Sequence, residues 1–172
     1  ANTNIGISRS SLTGAITIPG TFMVPGRVGG FIGLVGCNSS ATCSISRSQF
    51  TGSLTVPAGT DPTYGAGGFI GIVNMTGIGA TATIDNVFVN ANVTLQGTSS
   101  DHIGVFFADV SVGTGNTLTI TNSYASGSIT GAGLGTSVGA MIGSNSGAVE
   151  PVFTSVYYNS TLQSTGIGTG TA

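Results

Sequence analysis

Two unrelated markers recur along this chain at one spacing, and that coincidence limits the available folds more than any other feature. The first marker is a large residue closing a short β-like segment, at Leu12, Phe50, Phe88, Tyr124 and Tyr157, with separations of 38, 38, 36 and 33. The second is a glycine-rich apolar motif: VGGFIG (28–33), AGGFIG (66–71), IGVFFA (103–108) and VGAMIG (138–143), separated by 38, 37 and 35. A unit of 33–38 residues written over and over cannot bury its own apolar side. It must stack on its neighbours, which points to a solenoid.

Within each unit three strand-like pieces can be read. The first runs ISRSSL, ISRSQF, TIDNVF, TITNSY and FTSVYY; the second GAITI, GSLTV, NVTLQ, GSIT and STLQS. The third is the GGFIG-type piece, with no counterpart expected in the last copy. Alternating polarity, β-branched residues and glycine punctuation favour strands, and no stretch sustains a helical period. A sandwich also has many short strands, yet it does not require the same three-piece unit five times. The sequence therefore predicts one all-β domain over 1–172, a parallel β-solenoid (β-helix) of about 4.5 coils with three short strands each. The expected coils span approximately 4–42, 43–81, 82–117, 118–150 and a partial 151–172. Its inward rows are expected to be Leu12/Phe50/Phe88/Tyr124/Tyr157 and Ile16/Leu54/Val93/Ile129/Leu162, with right-handed winding as the default for parallel crossovers.

Composition narrows function by exclusion. Charged residues make up 5% of the chain, and the cations are Arg9, Arg27 and Arg47 without any lysine. Gripping nucleic acid or an anionic membrane needs clustered Lys/Arg, so neither is an expected partner. Low charge also removes a deterrent to self-association. The 40% hydrophobic content, spread at a regular period, argues against disorder. No apolar run approaches the roughly 18–20 residues of a membrane-spanning helix. The chain opens on Ala1, as a mature exported protein does after signal removal, although a trimmed chain looks the same.

The segments ITNSYASGSITG (120–131) and GAMIGSNSG (139–147), with GLVGCN (33–38), resemble the GLUG repeat, in which a GGLVGxNxG segment alternates with an xNSYATGxVxG segment. The third copy departs from it, with VFF for GLV and with Asn90 and Asn92 at the Gly/Ser corner. The resemblance is specific over about 30 residues and loose elsewhere. It implies a solenoid and a bacterial or archaeal surface setting, such as an adhesin or a secreted-protease ectodomain. It carries no catalytic residues.

Four kinds of candidate site follow. By alternation in GGFIGLV, Phe31, Gly33 and Val35 point one way while Ile32 and Leu34 point the other. Stacking then yields a second apolar row of Ile32, Leu34, Ile70, Ile72, Phe107 and Ile142. That row is either an assembly interface or is covered by the loops at 18–28 and 56–66. The open ends of the solenoid are strand ladders without a helix or charged cap. A further copy could cover them, giving a head-to-tail fibre, or neighbouring segments of a longer protein could do so. Cys37 and Cys43 in CNSSATC are a candidate disulfide in an oxidising compartment, with free thiols the alternative. Asn38, Asn74, Asn92 and Asn159 head N-x-[ST] sequons, each placed at a strand end or turn, and are candidate glycan acceptors.

The acids Asp61, Asp85, Asp101, Asp109 and Glu150 fall at different positions in the repeat, so no catalytic carboxylate cluster is expected. An Asp85–Arg47 ion pair between adjacent coils is expected to contribute little. Asp101-His102 with nearby serines is the remaining triad candidate. Threonine rows (Thr81, Thr83, Thr117, Thr119, Thr121) do not form one ladder across all coils. No metal site, cofactor or enzyme activity is expected. The expected function is a structural subunit of an extracellular filament or surface layer, self-assembling through its ends and its apolar face. A GLUG-type adhesin module that binds a receptor or glycan is the alternative.

Overall fold

The computed structural model describes residues 4–18, 26–57, 65–96, 102–131, 134 and 137–169. Among these the chain is all β, and every strand pairing is parallel. The solenoid is the one expected, but each rung carries four strands rather than three. The first rung holds β1 (Ile5–Ser8), β2 (Ser11–Thr17), β3 (Val28–Gly29) and β4 (Ile32–Gly36). The second holds β5 (Thr42–Ser46), β6 (Gln49–Val56), β7 (Ala66–Gly67) and β8 (Ile70–Met75). The third follows with β9 (Thr81–Asp85), β10 (Phe88–Leu95), β11 (Ile103–Gly104) and β12 (Phe107–Val112). In the fourth, β13 (Thr117–Thr121) leads to β14 (Tyr124–Ser126) and β15 (Ile129–Gly131), which divide one long strand, then β16 (Val138–Gly139) and β17 (Ile142–Asn145). The last rung has β18 (Val152–Thr154), β19 (Tyr157–Tyr158) and β20 (Ile167–Thr169).

Equivalent strands stack into four sheets. Sheet one is β1-β5-β9-β13-β18, and sheet two is β2-β6-β10-β14-β19 with β15 also on β10. Sheet three is β3-β7-β11-β16, and sheet four is β4-β8-β12-β17-β20. Because β20 pairs with β17, the last copy does return to the GGFIG position, contrary to expectation. Its STLQS piece, in contrast, is not a strand, and Leu162 lies exposed in a turn.

The fourth strand per rung comes from a corner that cuts the expected first strand in two. Arg9, Arg47, Asn86, Asn122 and Ser155 all adopt left-handed backbone, with φ of 52°, 48°, 55°, 49° and 54°. Their N–H groups donate up the stack: Arg9 to Ser46, Arg47 to Asp85, Asn86 to Thr121 and Asn122 to Thr154. Asparagine tolerates this conformation because its short polar side chain bonds locally. Beside it, buried serines tie the rungs together: Ser123 Oγ donates to Thr121 O at 2.7 Å and accepts from Val87 N at 3.1 Å. Ser48 does the same between Ser46 and Ser10.

Counting from this corner corrects the first inward row. Leu12 pairs with Phe50, but Phe50 pairs with Val89, whereas Phe88 pairs with Gln49 and Tyr124. The large residue sits third after the corner in the first two rungs and second in the later ones. A one-residue slip turns a side chain to the other face. Phe50 is therefore fully buried, while Phe88, Tyr124 and Tyr157 form an outer ladder. The second row holds from Ile16 through Leu54 and Val93 to Ile129. The core is completed from sheet four by Ile70, Val73, Phe107, Val110 and Ile142, and by three rings in a row, Phe31 stacked on Phe69 and Phe69 edge-to-face with Phe106. Glycine makes room for it: a Cβ on Gly30 would come within 2.7 Å of the Phe50 ring. At Gly67 a Cβ would collide with the Ile70 carbonyl, so the turn between sheets three and four closes backbone on backbone.

Candidate functional site

The two ends of the stack are where apolar surface and unpaired backbone coincide. On the first rung Ile5 is 52% exposed, and Leu12 and Leu34 are also exposed. A cavity of about 90 Å³ opens there between Ile5, Ile7, Ile32, Leu34, Val35 and Ile45. On the last rung Val152 and Tyr157 are 51% and 65% exposed. A wider hollow of about 320 Å³ is lined by Met141, Phe153, Val156, Tyr158, Gly166 and Ile167. Each hollow is the core of the solenoid seen in cross-section. Among the described residues, the strand edges of the first rung (β1, β2, β3, β4) and of the last (β18, β19, β20) have a neighbour on one side only.

The expected lateral apolar interface is not on the surface. Ile70, Phe107 and Ile142 are fully buried and Ile72 is 3% exposed, so none of them is available to a partner. Ile32 is half-buried, and of the six candidates Leu34 alone is exposed. For Phe31 and Ile32 the cause is the bend that leads into sheet four. Phe31 N and Ile32 N both donate to Phe69 O, and Phe69 N and Ile70 N both donate to Phe106 O. The two-residue alternation does not carry across such a bend. Phe31 and Ile32 consequently both join the core. The covering loops weighed as the alternative lie largely outside the described residues.

A disulfide joins Cys37 and Cys43, whose Cα atoms are 6.1 Å apart, at the turn from β4 into β5. Asn38 is exposed in that turn, and its Oδ1 accepts from Thr76 Oγ1 at 2.7 Å. Asn159 is also in a turn, where its Oδ1 accepts from Thr161 N at 3.1 Å. Asn74 stands next to the last residue of β8, near the expected strand end, whereas Asn92 lies instead in the middle of β10. Asn92 is exposed and Asn74 half-buried.

Sequence reasoning missed one electrostatic feature. Asp109 takes the sheet-four position that Ile72 and Ser144 occupy in neighbouring rungs, and it is buried. His102 Nδ1 lies 3.6 Å from its Oδ1, and Ser146 Oγ donates to its Oδ2 at 3.0 Å. Burial pushes the Asp109 carboxyl above its ordinary range, opposed by the Ser146 hydrogen bond and by His102. The available signal was an acid inside the apolar run VFFADV. The serine here binds the carboxylate and not the imidazole, so the nucleophile-to-base order of a Ser/His/Asp triad is not formed by these three residues. Asp101 and Asp61 lie outside the described residues. Asp85 pairs with Ser46, one place before Arg47, and turns upward: it accepts from Thr121 Oγ1 at 2.7 Å and Asn122 Nδ2 at 2.9 Å. Those two hydrogen bonds hold its carboxyl below the ordinary range, with Arg47 a minor contributor.

Among the described residues no three His, Cys, Asp or Glu side chains converge as metal ligands, and no helix is long and apolar enough to cross a membrane. Comparison with protein-family models, with curated proteins and with solved structures gave no match.

Proposed function

We propose that this chain is a structural subunit that adds end to end, building an extracellular filament or surface layer. The observation carrying this reading is the pair of open end faces, each a bare strand ladder around an apolar hollow. In a parallel stack each rung offers on its upper edge the hydrogen-bond pattern that its lower edge receives. The last rung of one copy thus fits the first rung of the next. A repeated head-to-tail contact of this kind runs on as a fibre.

The buried apolar row of sheet four plays no part, so growth is axial. The Cys37–Cys43 disulfide suits an oxidising compartment and supports the extracellular setting.

Negative-stain microscopy and sedimentation of the purified chain test this. Filaments are expected, and Ile5→Lys or Val156→Lys, each placing a charge in one end hollow, should abolish them without altering the circular dichroism spectrum. Monodisperse particles across the accessible concentration range would defeat the proposal.

A further inference from the structure

The outer face of sheet two combines a ladder of aromatic rings with strands that lack charge. Its strands β2, β6, β10, β14, β15 and β19 contain no charged residue at all. Along one side runs the aromatic ladder: Phe88 and Tyr124 lie with centroids 5.8 Å apart and planes within 15°, and Tyr157 follows in register. All three rings reach solvent, Tyr157 most of all. Beside the ladder a shallow groove of about 310 Å³ is floored by Gly14 and Gly52 and walled by Thr51, Ser53, Asn90 and Asn92. Asn92 is fixed there: its Oδ1 accepts from both N and Oγ of Ser128 at 3.0 Å. That leaves the amide NH2 oriented as a donor. Farther along, Thr94 and Thr130 present hydroxyls 3.3 Å apart.

We infer that this face binds a neutral, extended polysaccharide lying along the solenoid axis. Aromatic rings offer apolar surface for the C–H faces of sugar rings, and tyrosine adds a polar handle. Fixed amides and hydroxyls match sugar hydroxyls, which both donate and accept. Complete lack of charge disfavours acidic glycans, nucleic acid and charged peptides. The ladder repeats at the rung spacing of about 4.8 Å, comparable to the length of one pyranose residue, so a periodic polymer meets a periodic surface. A protein strand gains nothing equivalent, because this is a sheet face and its backbone groups are already paired. The inference refines the binding-module alternative and is independent of end-to-end growth.

Titration calorimetry of the full chain with cellohexaose, chitohexaose and laminarihexaose, with oligogalacturonate as the acidic control, tests it. Binding to at least one neutral hexasaccharide is expected, weakened about tenfold or more by Phe88→Ser combined with Tyr124→Ser. Thr83→Ala on sheet one should leave it unchanged. Asn92→Asp, which removes the NH2 donors and introduces a charge, should also abolish binding and decides the matter should the double variant not fold. Absence of binding to all three neutral sugars overturns the inference, as does equal binding of oligogalacturonate or undiminished binding by the variants. A drop in oligomer size on Phe88→Ser would reassign the face to contacts between copies and overturn it too. Filament formation is scored separately by microscopy, so loss of either property identifies which proposal has failed.

Discussion

Sheets two and four are built from the same repeat, yet they treat the outside in opposite ways. Along β10 burial alternates strictly, with Phe88, Asn90 and Asn92 outside and Val89, Ala91 and Val93 inside. Along β8 every residue except Asn74 is buried. The difference arises before the strand begins. Sheet two is entered from a left-handed corner that leaves the following strand regular, while sheet four is entered through a bend at which Phe31 N and Ile32 N share Phe69 O, and Phe69 N and Ile70 N share Phe106 O. Alternation locates a face where one strand runs uninterrupted from a known starting residue. Where the chain bends and two successive residues share an acceptor, as at Phe69 and Ile70, alternation does not carry across and must be counted afresh.

The sharpest way to break this comparison is to place a charge on each sheet. Ile70→Asp should cost several kcal/mol and leave no folded protein, since an unpaired buried carboxylate has no compensating partner. Phe88→Asp should leave the fold intact, with a change of about 0.5 kcal/mol or less. Urea unfolding followed by circular dichroism separates the two; equal losses would erase the distinction between the sheets. Next in size, Phe50→Ala on the inner side of sheet two should destabilise by about 3–5 kcal/mol, because its pocket against Gly30 cannot collapse. The same truncation at half-exposed Leu12, in the same row, should cost well under half of that.

Replacing Cys37 and Cys43 together by serine should lower stability by about 2 kcal/mol through the lost closure of a short loop, read as a shift in melting temperature. A smaller effect than that of the disulfide concerns the outer side of sheet four. Asp109 has its carboxyl raised by burial, so the folded state favours the protonated form. That contribution is present below the unfolded-state value of about 4 and is lost as pH climbs through the raised value. Asp109→Asn should therefore stabilise by about 1 kcal/mol at neutral pH and flatten stability against pH above about 4. A variant that is less stable than the parent at pH 7 would show that the His102 and Ser146 contacts outweigh desolvation.

The solenoid itself was legible because glycine-rich turns recur with the rungs and no other fold needs that spacing. The second inward row, Ile16 to Ile129, was legible for the same reason. Aligning the copies on their bulkiest residue failed from Phe88 onward, since bulk does not fix direction. The corner residues would have served better. Arg9, Arg47, Asn86, Asn122 and Ser155 share one backbone shape while differing in chemistry, and their signature is a polar residue just ahead of each strand of sheet two. Nothing in a linear pattern announces the shared acceptor at Phe69 and Ile70, because it depends on which carbonyl of the next rung two amides select. The His102–Asp109 pair was obscured likewise: the two residues meet across a turn whose shape no local motif dictates.

The covalent link between Cys37 and Cys43 ties the end of the first rung to the start of the second. In a molecule whose layers hold only their immediate neighbours, such a staple makes the two directions of unravelling unequal. Under a mechanical pull, or during thermal fraying, layers should peel away from the Tyr157 end while the stapled end stays seated. Reducing agent would remove that bias and let the chain come apart from either side.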